Sequence, residues 1–173
     1  YTGNPVRPAV RMSAAQPYVT PGTEAPLRLL VFGGSQGARF FSDAVPAVLA
    51  ALPESMRRNL FVTQQARDED LARVEQAYAA SGIRANVAAF FKNLPEEMAK
   101  ASLVIGRAGA STVAELTVIG RPSILVPLPH ALDNDQLNNA RRVEAAGGGV
   151  LMEQKDITTE TLTAAIAGLL GDP

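Results

Sequence analysis

Three segments of this 173-residue sequence gather residues able to do chemistry, and each follows a short apolar run. The first is Gly33-Gly34-Ser35-Gln36-Gly37-Ala38-Arg39. Small residues let a backbone approach a phosphate closely, and a helix starting there adds unpaired N–H groups and a positive dipole end. A tight strand-to-helix turn that needs glycine for steric reasons reads equally well. The glycine spacing is not the GxGxxG of dinucleotide-binding turns, and no Lys-Ser/Thr follows to make a P-loop.

The second segment, Gly106–Glu115, again sets small residues between a strand and a helix. Thr112-x-x-Glu115 has the spacing of a capping box, in which Glu115 reaches back to a backbone N–H, and spacing alone favours that role. The alternative is a carboxylate accepting two hydrogen bonds from a vicinal diol, as acidic residues do with a nucleotide ribose. The third segment, Pro127–Asn139, concentrates amides and carboxylates suited to sugar hydroxyls, although Asp133 or Asn134 also reads as a helix cap. His130, the only histidine, reads as a local hydrogen-bonding residue and not as a catalyst.

Other chemistries are excluded. With no cysteine there is no thiol nucleophile, disulfide or zinc–thiolate site. One histidine rules out HExxH, and the nucleophile elbow GxSxG is absent. A net charge of -1 argues against nucleic acid as a partner, because phosphate binding favours a basic domain. The 47% hydrophobic and 19% charged composition is that of a globular domain. No apolar run approaches the roughly 18 residues of a membrane-spanning helix. The chain opens with Tyr1-Thr2-Gly3, without Met or a signal peptide, and ends in Gly171-Asp172-Pro173, which reads as the start of a further helix. Both ends suggest a piece of a longer chain.

The elements that must hold these segments alternate. Five of the 12 prolines fall at positions 5, 8, 17, 21 and 26, so residues 1–26 read as an interdomain linker or extended edge, not a helix. Strands are expected at Leu27–Phe32, Leu60–Thr63, Asn86–Phe90, Leu103–Gly106, Pro122–Val126 and Val150–Met152. Helices are expected at Phe40–Leu52, with Pro46 as a kink or boundary, and at Asp68–Ser81, Pro95–Ala101, Thr112–Ile119, Asn134–Ala146 and Thr159–Leu170. About six apolar strands alternating with helices predict a Rossmann-like, doubly wound α/β domain over residues 27–173. Ligands of such sheets bind beyond the carboxyl ends of the strands, where all three segments lie.

Taken together and in order, GNPVR at Gly3–Arg7, GGSQGAR at Gly33–Arg39, RAGASTVAE at Arg107–Glu115 and PHALDNDQLNNA at Pro129–Ala140 resemble the MurG family of N-acetylglucosaminyltransferases. The resemblance covers only that family's carboxyl-terminal, donor-binding domain, the second half of a GT-B architecture. It implies inverting transfer of N-acetylglucosamine from UDP-N-acetylglucosamine to lipid I, giving lipid II, with no cofactor or metal. By resemblance, Gly34, Ser35, Gln36 and Gly37 would hold the diphosphate through backbone N–H groups and the Ser35 hydroxyl. Ala110, Ser111 and Thr112 would line the diphosphate and ribose, and Glu115 would take the ribose hydroxyls. The backbone of Phe91, with Leu94 nearby, would read the uracil. Arg7 would reach the donor, and Asp135 and Gln136 would face the sugar; Asp135 departs from the amide usual there.

The catalytic base, the lipid I site and the membrane-facing surface would belong to an amino-terminal domain outside this chain. The protein would then sit on the inner face of the bacterial membrane, and this chain alone would bind donor without transferring it. Rival readings are another lipid-directed UDP-sugar transferase, for glycolipid or dolichol-linked sugar, and a non-catalytic nucleotide-binding module. A Rossmann-type oxidoreductase is disfavoured by the glycine spacing and by the lack of an acid about 20 residues beyond the first loop.

Overall fold

The computed structural model describes residues 4–20, 26–129 and 134–171, and only the backbone of Ser35–Ala38. Six parallel strands form one sheet: β1 (Leu27–Phe32), β2 (Leu60–Gln65), β3 (Arg84–Ala88), β4 (Leu103–Gly106), β5 (Ser123–Leu125) and β6 (Gly149–Leu151). Their spatial order is β3-β2-β1-β4-β5-β6. The order reverses between β1 and β4, which is the topological switch point of a doubly wound sheet.

Eight helices are described: α1 (Pro8–Ala14), α2 (Gly34–Ala50), α3 (Glu54–Asn59), α4 (Leu71–Ala80), α5 (Leu94–Lys100), α6 (Ala110–Ile119), α7 (Asp135–Ala145) and α8 (Thr159–Gly171). Alternation along β1 shows why the strands are apolar throughout. Leu27, Leu29 and Val31 pack with Phe41 and Val45 of α2, Val74 of α4 and Ile166 of α8. Leu30 and Phe32 point the other way, to Val10 of α1, Met98 of α5, Leu116 of α6 and Ala140 of α7. Successive strand residues face opposite sides, so both faces must be covered by helices.

β1 and β4 have the expected bounds, and the other strands shift by one or two residues. Several expectations need correction. The proline-rich start is not helix-free. Pro8 opens α1 at a first-turn position, where its lack of an N–H costs nothing, and Val10 is fully buried. The glycine-rich segment is not a turn to Arg39, because α2 starts at Gly34 and runs without a boundary through Pro46 to Ala50. No helix is expected where α3 lies, and β3 ends two residues earlier than expected, so Ala89 and Phe90 lie beyond its carboxyl end.

Arg121 ties the N-terminal segment to the domain. Its buried guanidinium donates to Ala99 O (2.8 Å from Nε), Ile119 O (2.9 Å), Gly120 O (3.1 Å) and Gln16 O (2.9 Å), and it stacks 5.4 Å from the Tyr18 ring. The Tyr18 hydroxyl donates to Ser102 O at 3.1 Å.

Candidate functional site

The exits of β1, β2, β3 and β4 meet in a cleft of about 730 Å³, within the roughly 300–1,000 Å³ of small-molecule sites. Phe32 and Gly34 contribute from the β1 exit, Gln65–Glu69 from that of β2, and Ala89, Phe90, Phe91 and Leu94 from that of β3. Ser111, Thr112 and Glu115 come from the first turns of α6, and Pro5 and Arg7 close one side. The first turn of α6 leaves the N–H groups of Ala110, Ser111 and Thr112 outside the helical ladder, which begins with Val113 N–H on Gly109 O at 3.0 Å. α2 starts beside the same cleft. Two helix amino-ends therefore direct unpaired donors and positive dipole ends to one place, an arrangement suited to an anion.

Two glycines make this convergence possible. Gly34 has φ +67, which L-residues with a Cβ rarely adopt. Gly106 pairs in register with Phe32 at the switch point, and a Cβ there would lie 3.1 Å from Phe32 O.

Glu115 does not form the capping box that its spacing suggested. The N-cap of α6 is Gly109, three residues before the Thr112 that the motif requires there, and α6 has no side-chain cap. The carboxylate of the buried Glu115 is instead gripped by Arg7: Nε donates to Oε1 at 2.9 Å and Nη2 to Oε2 at 3.0 Å. This bidentate bond to Glu115 raises the Arg7 pKa, so the residue is a fixed cation.

The described residues of the third segment, 127–129 and 134–139, are tethered beside the cleft and are not among those lining it. Gln136 Oε1 accepts the Leu128 N–H at 3.0 Å, and Asn139 Nδ2 donates to Ala108 O at 3.1 Å. Asp135 is exposed at the first position of α7. Asn134 does take the N-cap position, in a left-handed conformation with φ 52, but its side chain makes no capping bond. His130 and Asp133 lie outside the described residues, as do Gly3, Asp172, Pro173 and the side chains of Ser35, Gln36 and Gly37.

Sequence reasoning gave Arg107 no role beyond its motif, yet it organises this rim. Its buried guanidinium donates to Val126 O (3.2 Å), Pro127 O (3.1 Å) and Gln154 Oε1 (2.7 Å), and lies 5.4 and 5.1 Å from the Phe40 and Phe41 rings. Burial lowers its pKa to about 10, so it stays charged at neutral pH and locks the β5 exit to the β4 exit. The lining contributed by Gln65–Glu69 and Phe90 was also missed. Its signal was available, since both stretches directly follow strands.

The family model of the glycosyltransferase family 28 C-terminal domain matches residues 28–173. The chain belongs to this family. A relative from Methylobacterium nodulans is 57% identical over 174 residues, covering 100% of this chain and 47% of the relative. Another from Brucella suis is 54% identical over 172 residues, covering 99% and 45%. Both are named UDP-N-acetylglucosamine--N-acetylmuramyl-(pentapeptide) pyrophosphoryl-undecaprenol N-acetylglucosamine transferase. The crystal structure of Acinetobacter baumannii MurG superposes with a TM-score of 0.79 at 28% identity, over 98% of this chain and 46% of that one. The chain thus spans just under half the length of these relatives, and its fold is that of the carboxyl-terminal half of a GT-B glycosyltransferase.

Proposed function

We propose that the cleft binds the uridine diphosphate part of UDP-N-acetylglucosamine. The full-length protein would transfer the N-acetylglucosamine to lipid I, giving lipid II for peptidoglycan. The observation that carries this reading is the convergence of two helix amino-ends on a cleft whose buried carboxylate, Glu115, faces the same space. The name shared by relatives above 50% identity supplies the sugar and the acceptor.

The residues divide the work by chemistry. Backbone N–H groups at the starts of α2 and α6, with the Ser35 hydroxyl, hold the diphosphate. Negative charge builds up there as the glycosidic bond breaks, so these preorganised donors stabilise the departing group. Glu115 accepts the ribose hydroxyls, the Phe91 backbone reads the uracil edge beside Leu94, and Arg7 sets the near wall. Gln136 has its oxygen on Leu128 N–H, which leaves its amide N–H groups for the sugar next to Asp135.

An inverting transfer also needs a base for the acceptor hydroxyl. That base, the lipid I site and the surface that meets the inner face of the membrane lie outside this chain, in the part of the relatives it does not match. Among the described residues no helix is long and apolar enough to cross a membrane. Residues 4–20 serve as the interdomain connection as well as a wall of the cleft. This chain alone binds donor and transfers nothing.

Calorimetric titration with UDP, UDP-N-acetylglucosamine, UDP-glucose and NAD tests the reading. UDP and UDP-N-acetylglucosamine should bind and NAD should not. Preference for UDP-glucose would point to a glycolipid transferase, and tightest binding of NAD would overturn the proposal.

A further inference from the structure

Arg7 and Glu115 come from separate parts of the chain and pair at the cleft. Arg7 is the N-cap residue of α1, with its carbonyl accepting the Val10 N–H at 3.0 Å. Val10 is fully buried in the same apolar cluster as Leu116, the neighbour of Glu115 on α6. The family model begins at residue 28, so Arg7 reaches the cleft from outside the matched domain. The pair is asymmetric: 58% of the Arg7 side chain is exposed against 11% for Glu115. The guanidinium is the wetter partner. The carboxylate is the buried one whose orientation needs fixing.

Each carboxylate oxygen has two lone-pair directions. Arg7 occupies one on each oxygen, Nε on Oε1 and Nη2 on Oε2, and so leaves one on each. A vicinal diol brings two O–H donors with matching separation. We infer that Arg7 is a positioning residue: it holds the Glu115 carboxylate so that the remaining lone pair of each oxygen accepts one ribose hydroxyl of the nucleotide. The inference rests on the donor-site reading above. It makes ribose recognition depend on the segment ahead of the sheet, and it differs from Arg7 acting on the diphosphate itself.

The test is titration of the wild-type chain, Arg7→Ala, Arg7→Lys and Glu115→Gln with UDP and with 2′-deoxy-UDP, alongside thermal melts of each variant. Wild type should prefer UDP by about tenfold, the worth of one charge-assisted hydrogen bond. Arg7→Ala should remove most of that preference, as Glu115→Gln should, and a variant carrying both Arg7→Ala and Glu115→Gln should lose no more. Arg7→Lys should fall between, because a single ammonium does not bridge both oxygens. A preference that survives intact in Arg7→Ala, or UDP binding that tightens there, overturns the inference and leaves the donor site standing. A wild type that binds neither nucleotide overturns both. A change confined to the melting temperature would mean that Arg7 merely anchors α1, and would also overturn it.

Discussion

The two rims of the sheet carry cavities of nearly equal size and opposite character. At the carboxyl rim, the cleft of about 730 Å³ receives the starts of α2 and α6. At the amino rim, a cavity of about 720 Å³ lies between the ends of α6 and α7 and the first residues of β5 and β6. Helix carboxyl-ends carry partial negative charge and unpaired carbonyls. Arg121 answers them, with its guanidinium on Ile119 O and Gly120 O at the end of α6 and Ala99 O near the end of α5. Both rims use arginine, but differently. Arg121 is buried and engaged with backbone carbonyls, so it belongs to the architecture. Arg7 is half in water and engaged with a carboxylate that faces open space. Cavity volume does not separate the rims; the direction of the helix dipoles and the state of the arginines do.

Arg121→Ala should break the amino rim with the largest effect. It would strand the carbonyls of the buried residues Ala99 and Ile119, each costing about 1–3 kcal/mol when unpaired, and release those of the exposed residues Gly120 and Gln16 to water. Relaxation and water will recover part of this, so a loss of about 3–5 kcal/mol is expected in urea unfolding. UDP affinity of the protein that remains folded should not change. A matching loss of affinity would mean that the rims are coupled through residues 4–20.

Glu115→Ala should do the reverse. Removing a desolvated acceptor of two hydroxyls should weaken UDP by about 1–3 kcal/mol in calorimetry. Stability should fall by less than in the Arg121 variant, since Glu115 does not cap α6 and its partner Arg7 is free to turn to water. Unchanged affinity would reduce Glu115 to an anchor for α1 and erase the distinction between the two arginines.

What was legible in the sequence follows from the range of the forces involved. β1 and β4 were read to the residue because central parallel strands are apolar on both faces, and that pattern is local. Of the three segments singled out, the two that contribute to the cleft, around Gly34 and around Ser111–Glu115, each come directly after such a strand. Glu115 shows where local reading stops. Thr112-x-x-Glu115 fits a capping box, but Glu115 pairs with Arg7, 108 positions away, and no local rule reports that. α1 is hidden in the sequence for a related reason: a proline-rich stretch has poor helix propensity, and only packing of Val10 against α5 and α6 makes about two turns worth forming. Arg107 and Arg121 look like ordinary surface arginines in one dimension. Their burial depends on carbonyls delivered by several elements at once.

The smallest expected effect sharpens the comparison most, because it separates function from architecture at a single side chain. Phe90 is 71% exposed although it lines the carboxyl-rim cleft. An aromatic ring left in water contributes little to the core, so Phe90→Ala should change unfolding free energy by no more than about 0.5 kcal/mol. A ring beside a nucleotide cleft is a stacking surface for a base, worth about 1–3 kcal/mol. With so much of the ring still open to solvent, about 1 kcal/mol is expected here, or roughly a fivefold weaker UDP titration. The same substitution should leave binding of inorganic diphosphate unchanged, since that ligand has no base to stack. Equal losses for UDP and diphosphate would place the base elsewhere, and the exposed ring would then need a different partner.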